Sequence, residues 1–490
     1  MNRSAGIFLH PTSLPSRFGV GDLGGWAYRF VDLMAENGQS MWQVCPLGPT
    51  GYGSCPYQSM SSFAGSSLML SLDKLADWGL LTREELDAFP HYNDHNVEFE
   101  AVVAAKEKLY TLAFSRYTPD ADFDAFCEKE RYWLDDYALF MVIKANKNGA
   151  HWKEWDSHLK LRFPASLAEL ETTERKKIRY QKFLQYMFRK QWHELRAYAN
   201  SRGVSIMGDI PYYASYDSAD AWAWPDVFEL DDTGNPVSVG GVPPDYFSET
   251  GQLWGNPVYA WENMKSNNYE WWINRIRYTL ELVDWVRIDH FRGIEAYWSV
   301  PYGSETAING EWVKGPDHEF FDVLKREMGT LPLIAEDLGI ITPEVDKMRL
   351  DANIPGMKVL QFAFDRNADN PYLPYNIESK SVVYTGTHDN DTSLNWFNSL
   401  SPDEKHYICE FIGCSEHEFM ASFIRMAYSC SAQLCILPMQ DILWLGEGHR
   451  MNIPGKADGN WSWRFTEDML DPHRLAMIRR FAEIYGRKPR

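Results

Sequence analysis

Eight short apolar runs, each ending in polar or turn-forming residues and mostly separated by helical stretches, constrain the fold of this 490-residue chain most tightly. They are GIFLH at 6–10, MWQVCPL at 41–47, VSIMGDIP at 204–211, the strand leading to Asp289, LPLIAED at 331–337, MKVLQFAF at 357–364, SVVYTGTHD at 381–389 and one within QLCILPMQD at 433–441. Runs that are apolar on both faces belong to a parallel sheet covered on both sides. Eight of them joined by helices predict an α/β fold, a (β/α)8 TIM barrel, with the notable polar residues at the carboxyl-terminal strand ends. The whole of 1–490 then reads as one catalytic barrel. A mostly helical subdomain at 66–200 is inserted after the second strand, and an irregular insertion at 212–275, including a loop at 240–257, follows the third. The helix closing the first insertion carries a stripe of Leu184, Met187, Phe188, Leu195, Tyr198 and Ala199, with Gly203 to end it.

Within DWVRIDHFRG at 284–293, strand alternation turns Trp285, Arg287 and Asp289 to one side. Arg287 therefore lies beside Asp289, and its charge is expected to lower the carboxyl pKa, which suits a nucleophile. Glu336 ends the fifth run, where partial desolvation raises its pKa and fits it for acid and base work. Asp389 ends the seventh. The three acids are 47 and 53 residues apart, the spacing of β/α units with one unit skipped before the last. Three carboxylates around one opening repel one another unless a site uses them. Asp209 ends the third strand, Tyr57 lies in the Gly- and Pro-rich loop at 48–65, and Phe247, Gln252 and Trp254 offer two stacking faces and an amide.

A formal net charge of −20 argues against nucleic acid or anionic lipid as partner, and the apolar runs are too short to span a bilayer. A neutral ligand is expected, and 20 Trp in the chain supply flat faces suited to sugar rings. Seven cysteines without a C-x-x-C pair, and no visible secretory signal, predict reduced thiols and a cytoplasmic location. The literal G-x-G-x-x-G at 19–24 is separated from its strand by Pro11, Thr12 and Pro15, so no dinucleotide site is expected. Neither His91 with His95 nor the pair Asp231 and Asp232 makes a zinc or calcium ligand set, so no metal and no other cofactor is expected.

RIDHFRG, AEDLG and GTHDNDT, with LHPTSLP, GPTGYGSCPYQSMSSFAG, GGVPPDYFSETGQLWGNP and the closing GNWSWR, together resemble the 4-α-glucanotransferases of glycoside hydrolase family 77, the amylomaltases or disproportionating enzymes. The likeness runs over nearly the whole chain. It implies Asp289 as nucleophile, Glu336 as general acid/base and Asp389 as transition-state stabiliser. By the same likeness Arg287 and His388 orient the nucleophile and hold sugar hydroxyls, Tyr57 stacks on the sugar and Asp209 lies beneath it. Phe247, Gln252 and Trp254 fall on a loop overhanging the glucan groove, and His290 and Asn460 also match. Maltooligosaccharides and α-1,4-glucans are the implied donors and acceptors, exchanged with retention by two carboxyl groups about 5 Å apart. The chain departs in Ser54-Cys55, where the family commonly has Asp-Ser, and is expected to lack the β-sandwich common after α-amylase barrels. A hydrolase of the same superfamily and a non-catalytic glucan-binding barrel are the alternative readings.

Overall fold

The computed structural model describes residues 3–244, 248–456 and 458–488. Its strands in chain order are β1 (Ser4–Phe8), β2 (Met41–Gln43), β3 (Ser205–Ile210), β4 (Ser238–Val242), β5 (Gln252–Pro257), β6 (Trp285–Ile288), β7 (Ala296–Pro301), β8 (Glu311–Lys314), β9 (Leu333–Ala335), β10 (Gly356–Val359), β11 (Ser381–Tyr384) and β12 (Leu434–Pro438). Eight of them form one parallel sheet in the order β10-β11-β12-β1-β2-β3-β6-β9, with each predicted apolar run supplying one strand. This is a nearly closed barrel of the expected (β/α)8 type.

Its eighth seam, between β9 and β10, is joined differently. The Ala335 amide donates to Pro355 O at 2.9 Å, and the Met357 amide donates to the Asp337 carboxylate at 2.6 Å. Asp337 is itself buried against the Arg349 guanidinium at 3.2 Å. A side chain thus takes over where the backbone ladder stops.

Burial explains the runs. In β9, β11 and β12 every residue is buried, so apolar side chains are needed on both faces. Helices cover the outside with one-sided patterns. Gly25–Glu36 buries Ala27, Phe30, Val31 and Met34, and Arg175–Ser201 buries Leu184, Met187, Phe188 and Leu195 before Gly203 turns the chain at φ +75°. Between β2 and β3 the described residues contain helices and no strand.

Two expectations need correction. The run at 357–364 leaves the sheet after Val359, and Leu360–Phe362 form a 3-10 turn. The insertion at 212–275 is not irregular throughout: it contains a short helix, Ala219–Ala223, and both β4 and β5. With β7 and β8 these make a second, antiparallel sheet in the order β5-β4-β7-β8. Glycine and proline in β4 and β5 hide their strand character, since both are poor strand formers, and only the pairing of β4 with β7 and of β5 with β4 makes them regular.

Candidate active site

Parallel register places the central residues. Asp209 of β3 is the direct neighbour of Arg287 of β6, so both side chains point to the same face. Arg287 Nη1 donates to Asp209 Oδ1 at 2.9 Å and Oδ2 at 2.7 Å, while Nη2 lies 2.9 Å from Asp289 Oδ1. Asp209 also accepts from the Tyr57 hydroxyl at 2.7 Å. The chain Tyr57, Asp209, Arg287, Asp289 is therefore continuous. Asp209 and Arg287 are almost wholly buried, whereas the Asp289 side chain keeps 30% exposure. An aspartate on one side of a guanidinium fixes the other side to face the site.

The expected downward shift at Asp289 does not occur. Burial raises its pKa, Asp209 and Asp389 add to that rise, and Arg287 and His388 only partly oppose it. The sequence displays Arg287 two residues away, but not the enclosure or the two carboxylates that converge from β3 and from the loop after β11.

Glu336 follows β9 directly, and both its oxygens are held by backbone. Oε2 accepts from the His290 amide at 2.7 Å and Oε1 from the Leu338 amide at 3.0 Å. Burial, then the charge of Asp289, push its carboxyl up to about 8, against a modest pull downward from Arg287 and the two amides. The direction is the expected one. His290 serves this geometry by adopting φ +46°, ψ +47°, which turns its amide to Glu336. Burial holds its ring neutral, with a pKa of about 3, and Nε2 has no hydrogen-bond partner among the described residues.

Asp389 lies five residues past the end of β11 rather than at the strand terminus itself. Its side chain is 49% exposed, accepts from Asn452 Nδ2 at 2.6 Å, and lies 3.4 Å from His388 Nε2. His388 stacks on Tyr57, with ring centroids 5.0 Å apart and planes at 19°, and Trp461 closes against both at 5.6–5.7 Å.

These groups surround one open cavity of about 750 Å³. Of the predicted residues, Tyr57, Gln252, Trp254, Asp289, His290, His388, Asp389 and Asn460 line it. Asp209 and Arg287 lie under its floor, and Glu336 is attached through the His290 amide beside Asp289. Trp254 meets the His290 ring edge-on at 4.9 Å and donates to Gln252 Oε1 at 3.2 Å. Asn460 spends its amide on the Ile453 and Lys456 backbone, which shapes the 453–460 rim. Phe247 lies outside the described residues.

Asn452 and Trp461 are lining residues that the sequence reading did not single out. Both sit in the loop after β12, and barrel geometry delivers every such loop to the same mouth. That was the available signal. Among the described residues, no group of three or more His, Cys, Asp or Glu is placed to hold a metal ion.

Comparison with known proteins gives a consistent picture. A profile of the family described as 4-alpha-glucanotransferase matches residues 9–470. The 4-alpha-glucanotransferase of Synechocystis sp. is 47% identical over 99% of this chain and 98% of its own length, and that of Thermus thermophilus is 43% identical over 99% of each. Among solved structures, an amylomaltase from Streptococcus agalactiae in complex with acarbose superimposes with a TM-score of 0.97 at 34% identity, covering 99% of this chain and 100% of the other. An amylomaltase from Corynebacterium glutamicum, at 17% identity and a TM-score of 0.81, shares the fold.

Proposed function

The chain belongs to the 4-alpha-glucanotransferases of glycoside hydrolase family 77, and on that premise we propose that Asp289, Glu336 and Asp389 carry out its transglycosylation of α-1,4-glucans by retaining double displacement. The observation that carries the assignment is the pairing of an arginine-held Asp289 with an adjacent Glu336 that stays protonated at neutral pH. One is a fixed nucleophile and the other a proton donor.

In the first half, Asp289 forms a bond to the anomeric carbon as the glycosidic C–O bond breaks, and the Glu336 proton passes to the departing oxygen. Arg287 keeps Asp289 aimed and stabilises its charged form, while the Tyr57 and Asp209 contacts keep Arg287 from turning. In the second half, ionised Glu336 takes the proton of an acceptor 4-hydroxyl. That oxygen bonds to the anomeric carbon, and the ester to Asp289 breaks. Two inversions give retention. Asp389, steadied by Asn452, accepts hydrogen bonds from sugar hydroxyls and favours the positively charged transition state.

Tyr57 and Trp254 stack on glucose rings either side of the scissile bond, and Gln252, His290, His388 and Asn460 complete the groove. Maltooligosaccharides serve as donor and acceptor. The 66–200 segment acts as an inserted helical subdomain, and 212–275 as the second insertion, which supplies Tyr212, Tyr213, Gln252 and Trp254 to the cleft. Among the described residues no helix is long and apolar enough to cross a membrane. All seven cysteines are unpaired, which supports a place in the reducing cytoplasm.

Incubating the purified enzyme with maltotriose tests the reading. Expected is a ladder of shorter and longer maltodextrins plus glucose, with no net rise in reducing ends. Rising reducing ends without any product longer than the substrate would mean hydrolysis instead.

A further inference from the structure

The two faces of the antiparallel sheet have different surroundings. One face looks into the cleft: Trp254 packs on His290 and Tyr213, and a Cβ at Gly240 would strike the Tyr213 ring. On the other face a single register row crosses all four strands. Leu253 of β5 pairs with Gly241 of β4, Gly241 with Trp298 of β7, and Trp298 with Trp312 of β8. At a strand spacing of about 4.8 Å the row is roughly 14 Å long. Leu253 also belongs to the cleft lining, so the row begins at the cleft's own rim.

Trp312 is 42% exposed, yet it is not loose. Its ring meets Trp298 at 5.3 Å and 67°, and Trp298 is pinned by its Nε1 donating to Ala307 O at 2.9 Å. The buried guanidinium of Arg292 lies 3.9 Å from the Trp312 ring centre. Arg292 Nη1 donates to Ile340 O at 2.5 Å, which ties the platform to the segments following both Asp289 and Glu336. An exposed indole already fixed in place loses little side-chain entropy when a ligand stacks on it. Lys314 is paired with Glu295, so the cation against the ring is Arg292, which backs it from the buried side. What remains is a flat aromatic face.

We propose that this row, with Trp312 as its principal stacking face, is a second glucan-binding surface that holds α-1,4-glucan running out of the cleft past Leu253. The inference rests on the glucan reading of the cleft. The apolar faces of pyranose rings match Leu253 and Trp312, 37% and 42% exposed at the two ends of the row, while Gly241 between them is buried, with Gln252 O where a Cβ would stand. Binding here raises the effective concentration of a long chain at the cleft, while a trisaccharide held in the cleft gains nothing from it.

Native electrophoresis through gels containing amylopectin, together with transfer kinetics on amylose and on maltotriose, tests the proposal. Trp312→Ala is expected to weaken amylopectin retardation at least five-fold and to raise the ratio of KM for amylose to KM for maltotriose about five-fold. Trp312→Phe, which keeps an aromatic ring and removes any doubt about folding, should fall between Trp312→Ala and wild type. Wild-type retardation in both variants, or an equal rise in KM on both substrates, would overturn it. Should wild type fail to transfer on maltotriose while its retardation still depends on Trp312, the surface stands and the reading of the cleft falls.

Discussion

Replacing Glu336 by glutamine probes the electrostatics of the site through stability as well as turnover. In the unfolded chain this carboxyl ionises near its ordinary value of 4.5, whereas in the fold it is pushed up to about 8. Below pH 4.5 both states carry the proton, so the residue leaves stability unchanged. Between those two values the unfolded chain gives up a proton that the fold keeps, so stability falls as pH rises, and above about pH 8 the loss is complete. At about 1.36 kcal/mol per pH unit the loss approaches ~5 kcal/mol as an upper bound for a carboxyl that still touches cleft water. Glutamine escapes this loss but must set an NH2 against one of the two amides, of His290 and Leu338, that now donate to the carboxylate. That mismatch costs about 1–3 kcal/mol at every pH. The variant is therefore less stable than wild type by roughly 2 kcal/mol at pH 4.5 and more stable by roughly 2–3 kcal/mol at pH 9. With unfolding entropy near 2.1 cal/mol/K per residue, a chain of this length shifts by about 1 °C per kcal/mol. Scanning calorimetry should find the Glu336→Gln Tm about 2 °C below wild type at pH 4.5 and about 2–3 °C above it at pH 9, while transfer activity drops by about 10²–10⁴-fold. A Tm difference that is the same at both pH values would refute the account.

The acid limb and the buried network yield further tests. As the proposed acid, Glu336 enters the first step protonated, so kcat/KM for maltotriose transfer should fall as pH rises through about 8; a profile flat to pH 10 would remove it as the acid. Asp209→Asn removes the countercharge from a buried Arg287 and weakens the Tyr57 contact. Urea denaturation should show a loss of about 3–5 kcal/mol, and activity should fall by at least ~10²-fold although Asp209 does not line the cleft. Unchanged turnover in a folded Asp209→Asn protein would sever Arg287 from the catalytic role given to it.

Most of the barrel was readable because burial on both faces demands uninterrupted apolar runs, and these stand out against helices with one-sided stripes. Asp289 and Glu336 were readable for the same reason, since each follows directly on such a run. The antiparallel sheet was not, because SVGGV and QLWGNP carry no strand pattern of their own: SVGGV becomes a strand through partners more than fifty residues away, at Trp298 and Ser299 among others, and QLWGNP only by pairing with SVGGV. Local sequence was also misleading at Asp289. It displays Arg287 but neither the burial that raises the Asp289 pKa nor the Asp209 and Asp389 carboxylates that arrive from other elements and add to the rise. Asn452 escaped notice because its role depends on Asp389, which is 63 residues earlier in the chain.

The seam between β9 and β10 has a mechanical consequence. Seven joints of the barrel are stitched by main-chain ladders, and the eighth is held by one main-chain bond, Ala335 to Pro355, and by the Asp337 side chain, one residue beyond Glu336, the proposed acid and base. The main chain leading to Glu336 is thus laddered on one edge only, with the carboxyl itself steadied by the His290 and Leu338 amides, while Asp289 follows a strand laddered at both edges, like a stave in a hooped cask.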